Sequence, residues 1–371
     1  MVNKLDNQKT VVVGLSGGVD SAVSAYLLKQ QGYKVIGLFM QNWDSVANQE
    51  ENYESKFDVC DAEIDYEAAQ LVAKHLDIPL HRKEFIKEYW DNVFQYFLNE
   101  YKKNRTPNPD VLCNRHIKFE AFQKYALQEF DCDYIAMGHY AKIRHFDDHS
   151  ELMLCKDQNK DQTYFLCNLT QEQLKRALFP LENLTKQEVR QIAEEIGLPN
   201  AKKKDSTGIC FIGERDFRKF LSNYLPNQPG NIVDITNGNI IGKHEGVMYY
   251  TLGQRKGLNL GGQKEKYFVC QKDIDTKTLY VAPDSLEEEY LDSSKLIVNE
   301  FNWIIKPNDF KNIQARFRHR QILQDVEVEI LKDNSVKVKY HKQKNIAPGQ
   351  YCVLYQNGIC LGGGAIDIVS K

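Results

Sequence analysis

Two features of this chain are spaced for chemistry: a short glycine-serine loop suited to an anion, and two cysteines in unusual surroundings. The loop is Ser16-Gly17-Gly18-Val19-Asp20-Ser21, preceded by Val11-Val12-Val13-Gly14-Leu15 and followed by Ala22 to Gln31. Three β-branched residues in a row read as a buried strand, and two glycines let backbone N–H groups approach a ligand closely. The next segment reads as a helix stopping at Gly32. A helix N-terminus entered through such a loop binds anions, and phosphate fits it. A Walker loop would end in Gly-Lys-Ser/Thr and a dinucleotide loop would space its glycines differently; this loop has neither pattern.

Cys113 follows Thr106-Pro107-Asn108-Pro109-Asp110, a proline-stiffened stretch expected to form a loop that holds a carboxylate three residues before the thiol. Cys210 follows the basic run Lys202-Lys203-Lys204 and Gly208. Both contexts favour thiolate, the nucleophilic form of cysteine. The nine cysteines are scattered with no Cys-x-x-Cys pair, so reactive thiols are a better expectation than a disulfide framework or a zinc ribbon.

The elements that must position these residues alternate at first. Strands are expected at 11–15, 34–40, 80–85 and 133–138 with helices between them, which predicts a parallel sheet covered on both faces. In such a sheet Ser16–Ser21, Met40 and Gly138-His139-Tyr140 converge beyond the carboxyl ends of the strands. The aromatic stripe Tyr89–Tyr101 reads as core packing on a helix, and Gln171–Gly197 as a helical stretch closing the first domain. Beyond about residue 215 the turn signals Asn237-Gly238, Leu260-Gly261-Gly262 and Asn357-Gly358 separate short strands. Asp325–Ile330 and Ser335–Tyr340 alternate with period two, as in a small barrel or sandwich. The expected division is 1–214 as an α/β domain, 215–290 as a small, mainly β linker domain and 291–371 as a β-barrel.

The chain has 371 residues, 42% hydrophobic and 27% charged, and no apolar run long enough for a membrane span or a secretory signal, so a cytoplasmic protein is expected. Its net charge of −3 does not mark a nucleic-acid binder, but residues 311–344 hold nine Lys/Arg against four Asp/Glu. Within them, Arg316-Phe317-Arg318 interleaves an aromatic with cations, as suits a splayed RNA loop.

The loop at 16–21 resembles the S-G-G-x-D-S pyrophosphate loop (PP-loop) of the ATP pyrophosphatases. The resemblance sharpens with Thr106–Asn114, Gly138-His139-Tyr140, Asn159-Lys160-Asp161-Gln162, Asp205–Gly213, Thr251–Gly257, Pro348-Gly349-Gln350 and Cys360–Gly364. Together these resemble the bacterial tRNA-specific 2-thiouridylases over nearly the whole chain. That family implies an adenine nucleotide alpha hydrolase-like first domain and ATP-dependent 2-thiolation of uridine 34 in the tRNAs for lysine, glutamate and glutamine. It implies that Gly14, Leu15, Ser16, Gly17, Gly18, Val19, Asp20, Ser21, Met40 and Gly138 meet ATP, which is expected to carry Mg²⁺. Asn108, Pro109 and Asp110 would hold the target base, and His139, Lys160, Asp161, Gln162, Arg316, Phe317 and Gln350 would meet tRNA. Cys210 would carry a persulfide, Cys113 would be the second catalytic thiol, and Asp110 the general acid or base. A cysteine desulfurase or a sulfur-relay protein would be the donor. Either direct persulfide attack or prior release of hydrosulfide satisfies this pattern, and iron–sulfur ligation is open. The alternative is another PP-loop ligase: one forming amides would carry a glutaminase, and one of the lysidine type would need neither cysteine.

Overall fold

A computed structural model describes residues 8–43, 61–204 and 216–371. The first sheet contains β1 (Thr10–Gly14), β2 (Lys34–Gln41), β3 (Leu80–Glu84), β4 (Tyr134–Ala136) and, after a hairpin of β5 (Lys142–His145) and β6 (Ser150–Met153), β7 (Ala177–Leu178). All its pairings are parallel, in the order β3-β2-β1-β4-β7. The apolar run of β1 follows from its two covered faces. Val12 packs into one core with Ile36, Leu38 and Ile135, while Val11 and Val13 face a second core with Val35, Phe39 and Ala136. Chain order reverses at β1, where β2 lies on one side and β4 on the other, and the loops leaving β1 and β4 are therefore neighbours.

The aromatic stripe lies on a helical segment, Ile86–Lys102, that widens to a π-helical turn at Trp90–Phe94. Tyr89, Val93, Phe94, Phe97 and Tyr101 are buried in the first core, the packing role expected of them. The stretch 171–197 is not continuously helical. Helices Gln171–Lys175 and Lys186–Glu195 flank β7, which pairs with β4 because Ala177 and Leu178 supply an edge strand there. Each helix begins with a capping box, on Thr170 and Thr185.

The middle segment places a helix, Phe217–Ser222, before β8 (Gly230–Asp234), β9 (Ile240–His244), β10 (Tyr267–Asp273) and β11 (Thr278–Pro283). These strands pair in the order β10-β11-β8-β9. Asn237-Gly238 turns β8 into β9, whereas Leu260-Gly261-Gly262 lies in an irregular stretch rather than in a hairpin.

The last strands are β12 (Asp292–Val298), β13 (Asn302–Trp303), β14 (Ile313–Arg316), β15 (Gln324–Ile330), β16 (Val336–Lys344), β17 (Tyr351–Gln356) and β18 (Ile359–Ser370). Six of them close an antiparallel barrel, because β12 pairs with both β16 and β18. The period-two strands β15 and β16 are partners, with Val328 opposite Val338. Asn357-Gly358, both at positive φ, turns β17 into β18.

The barrel is fused to the first domain. Strand β6 extends its sheet through β18, and β17 has two apolar faces: Cys352 and Leu354 point into the barrel, while Tyr351, Val353 and Tyr355 join the first domain's core. No helix among the described residues is long and apolar enough to cross a membrane.

Candidate active site

The phosphate loop leaves β1 at Gly14. Leu15 N donates to Leu38 O at 3.0 Å, and Gly17 then turns the chain at φ +74°. A Cβ on Gly17 would lie 2.3 Å from Asp65 O, so both conformation and space require glycine. Gly18 is the N-cap of helix α1 (Val19–Gln30), and no side chain caps it, which leaves the first-turn N–H groups directed at the position an anion would take. Ser21 Oγ donates to Gly18 O at 3.1 Å and accepts from Ser16 N at 3.2 Å, bracing the loop. Met40 approaches from β2, with its Cε 3.8 Å from where a Cβ on Gly14 would be. Gly138 lies so near α1 that a Cβ there would be 2.9 Å from Ser21 N. The convergence expected of 16–21, Met40 and 138–140 is thus present, and the uncapped helix end with its glycine cradle fits a pyrophosphate group.

Two residues of this region, Lys186 and Asn200, carry no motif of their own. Lys186 Nζ lies 2.8 Å from both carboxylate oxygens of Asp20, and Tyr140 OH donates to Asp20 at 2.9 Å. Asn200 Nδ2 donates to Gly17 O at 3.0 Å. Lys186 is the first residue after the Thr185 cap, so the capping box was the one local sign that its position is fixed. Lys203, from the basic run expected to favour a thiolate, pairs with Asp65 at 2.7 Å. Cys210 lies outside the described residues.

The stretch 106–114 is loop only as far as Asn108. Pro109 takes the first helical position, and helix runs from there through Cys113 into a π-helical segment, Cys113–Ala121. Proline suits N1 because that N–H would be unpaired in any case, so the stiffness read as a loop marks a helix start. Asp110 is partly exposed, and burial raises its carboxyl above the usual carboxylate range while Lys118 opposes the shift. Cys113 is 5% exposed and one turn from Asp110. Asn108 Oδ1 is buried without a hydrogen-bond partner.

His139 joins the two halves of the site. It follows Gly138, which abuts α1, and its Nε2 lies 3.4 Å from Lys118 Nζ on the Cys113 helix. The ring sits between Phe119 and Phe179, each at a centroid distance of 6.0 Å. Burial first, and the Lys118 charge second, hold it well below its ordinary pKa, hence neutral. Its Nδ1 is buried without a partner. Among the described residues, no cluster of three or more His, Cys, Asp or Glu is placed to hold a metal ion, and Cys132, Cys155, Cys167, Cys270, Cys352 and Cys360 are joined in no disulfide.

The residues expected at RNA divide into two sets. Lys160 is partly exposed, and Gln162 is bonded to Tyr140 through both backbone and side chain. Gln350 Nε2 donates to Thr106 O at 2.8 Å, so it braces the loop before Asp110. Asp161, Arg316 and Phe317, in contrast, lie beneath the surface rather than on it. Arg316 Nη1 donates to Asp161 Oδ1 at 2.9 Å, with the two side chains 6% and 0% exposed. Thr163 and the Cys155 N–H also donate to the Asp161 carboxylate. The Phe317 ring packs in the barrel 4.7 Å from that of Tyr340. The physical reason is pairing: an arginine whose charge is met by a buried carboxylate is not directed at solvent. Arg318 and Arg320 are exposed instead, and the alternation Arg316-Phe317-Arg318-His319-Arg320 was the signal for them.

Gly358-Ile359-Cys360-Leu361-Gly362 has the Gly-x-Cys-x-Gly spacing of a nucleophile elbow, but Cys360 lies inside β18, fully buried, with no strand-to-helix turn to present it.

Comparison with known proteins agrees with this architecture. Residues 9–214 match the family described as tRNA methyl transferase HUP domain, 218–283 the PRC-barrel domain of that name, and 293–366 an aminomethyltransferase beta-barrel domain. A Ureaplasma urealyticum protein named tRNA-specific 2-thiouridylase MnmA is 60% identical over 98% of this chain and 97% of its own length. A Mycoplasmopsis synoviae protein of the same name is 56% identical over 98% and 96%. At that identity, end to end, and with the phosphate loop joined to a cysteine-bearing helix, the chain belongs to the tRNA-specific 2-thiouridylase family.

Proposed function

We propose that this protein replaces the C2 oxygen of the wobble uridine, position 34, in the tRNAs for lysine, glutamate and glutamine by sulfur. The observation that carries this reading is the bridge at 138–140, where one tripeptide backs onto the uncapped α1 terminus and reaches the helix bearing Asp110 and Cys113. This supports a reading in which an adenylation site lies beside a thiol site. In the proposed reaction the C2 oxygen attacks the α-phosphorus of ATP and pyrophosphate leaves, held by residues 14–21; Mg²⁺ brought in with the nucleotide would supply charge neutralisation for the departing group. The terminal sulfur of a Cys210 persulfide then attacks C2, and AMP leaves with the oxygen. Cys113 thiolate attacks the Cys210 sulfur, the S–S bond breaks, and thiouridine departs, leaving a Cys113–Cys210 disulfide for two-electron reduction by a thiol. Asp110, whose raised pKa keeps a proton available nearer neutrality, moves the proton on the base ring, and Asn108 presents its unpartnered oxygen to that base. The persulfide sulfur comes from a cysteine desulfurase or a relay protein, in the cytoplasm.

The test is incubation with ATP, a sulfur source and tRNA carrying labelled oxygen at uridine C2, followed by mass spectrometry of nucleosides and nucleotides. Thiouridine should form while the label appears in AMP. ADP and phosphate as products, or label retained in a base that gains sulfur, would refute adenylation.

The RNA face is proposed to use Lys160, Arg318 and Arg320, with the Asp161–Arg316 pair and Phe317 holding the surface beneath them. Arg318→Ala is expected to lower the slope of log affinity against log salt by about one with the melting temperature unchanged. Arg316→Ala should instead destabilise the fold, by about 3–5 kcal/mol, because it strands the buried Asp161 carboxylate. Salt titration of tRNA binding and thermal melting of both variants check this, and the opposite pattern would put Arg316 at a phosphate.

A further inference from the structure

Asp110 and Cys113 lie three and six residues beyond Pro107, on a segment anchored by the barrel. The helix Gln95–Lys102 ends in a reversal at Asn104, φ +66°, and Arg105 N donates back to Glu100 O at 2.9 Å. The Arg105 guanidinium then faces two carboxylates. One is Glu100 on that helix, at 3.5 Å and 3% exposed, which Lys103 also meets at 3.1 Å. The other is Asp367 on barrel strand β18, itself held by Asn299. The next residue is gripped by the same edge of the barrel, since Thr106 N donates to Pro348 O at 2.9 Å and Thr106 O accepts from Gln350 Nε2 at 2.8 Å. That edge is one unit, because Gly349 N bonds Ile366 O and Ile366 N bonds Gln350 O. Between the gripped Thr106 and Asp110 there are only Pro107, Asn108 and Pro109. Two prolines fix φ near −65° and restrict the residues before them, so a shift at Thr106 passes to Asp110 with little slack.

We propose that Arg105 is a positioning residue: by bridging Glu100 and the barrel's Asp367 it sets the place of the Thr106–Asp110 loop, and so couples the seating of the barrel to the geometry of Asp110 and Cys113. This rests on the roles proposed for those two residues. The energetic logic is geometric: a misplacement of about 1 Å at a reacting group costs on the order of 10²-fold in rate, whereas an ion pair still open to solvent, with side chains 26% and 21% exposed, contributes little binding of its own. A lysine at 105 would keep the charge but lose the planar fork that meets two carboxylates together.

The cleaner variant is Asp367→Asn, because it leaves Glu100 paired with Arg105 and Lys103 and strands no buried charge. The full-length protein would be compared as wild type, Asp367→Asn, Asp367→Glu, Arg105→Lys and the double variant Arg105→Lys/Asp367→Asn. Three measurements apply: single-turnover thiolation at saturating ATP and tRNA, tRNA affinity by filter binding, and amide hydrogen exchange. Asp367→Asn should slow the single turnover by about tenfold with affinity within about twofold, and speed exchange at 106–113 by about tenfold while β1 is unchanged. Asp367→Glu should recover part of both losses, and the double variant should lose no more than the worse single one. Unchanged exchange at 106–113 would overturn the proposal, as would equal acceleration in β1, a rate loss matched by lost tRNA affinity, or additive losses in the double variant. The exchange measurement is independent of turnover. A wild type that thiolates nothing would count against the functional reading, while the clamp would still be judged by exchange.

Discussion

Replacing Cys113 by Ser is expected to abolish 2-thiolation while leaving a persulfide detectable on Cys210. The change exchanges one small side chain for another at a site 5% exposed, on a helix whose other turns pack into the core, so the fold should survive it. A serine hydroxyl cannot attack the Cys210 sulfur to form the disulfide that releases the product, so sulfur should stop at the persulfide stage. Cys210→Ser should remove both the persulfide and the product. Intact-protein mass spectrometry for one added sulfur atom, together with nucleoside analysis, reads both. Thiouridine formed by either variant would break the proposed sulfur route, and a lysidine-type ligase would be indifferent to both changes.

Asp110→Asn is expected to remove most turnover, about 10²–10⁴-fold, with ATP and tRNA affinities within a few-fold, because it deletes a proton-transfer group and keeps its shape. The same variant should not lose stability at neutral pH. Burial raises the Asp110 carboxyl, with Lys118 opposing. A carboxyl that binds its proton more tightly in the fold than in the unfolded chain contributes stability below its unfolded pKa, and that contribution fades as pH rises through the folded value. Above the raised value the native state carries a partly buried charge that asparagine lacks, so the melting temperature of Asp110→Asn should equal or exceed that of the wild type there. Wild-type turnover should lose its ionised Asp110 at a higher pH than an ordinary carboxylate would allow. Binding lost in parallel with rate, or a melting temperature that falls at neutral pH, would make Asp110 a structural residue.

The separation of roles along this chain follows from how far apart the cooperating residues lie. Lys186 reaches Asp20 across 166 positions and Arg316 reaches Asp161 across 155. Neither pairing leaves a local trace, since a charged residue has the same appearance in the sequence whether it meets solvent, RNA or a buried partner. For that reason Arg316 and Phe317 read as an RNA-facing pair, while the fold places them beneath Arg318 and Arg320.

Features that depend on a few consecutive residues were legible. The apolar run Val11–Val13 requires a strand covered on both faces. Gly17 suits a turn at positive φ, and the Thr185 and Glu188 pairing requires a helix start. The period-two strands β15 and β16 likewise declare their buried faces through alternation alone. Proline was legible only as stiffness: whether Pro109 stiffens a loop or opens a helix depends on the residues after it, and the helix through Cys113 is chosen by burial of Val111, Leu112 and Ile117. The amino-acid sequence by itself thus determined the phosphate loop, the sheet that presents it and the residue types able to do sulfur chemistry, because backbone sterics and hydrophobic periodicity act over a few residues. Tertiary structure alone decided which charges are spent on one another, that the barrel shares the first domain's core, and that its edge grips the loop before Asp110, because those contacts arise only when segments far apart in the chain are packed together.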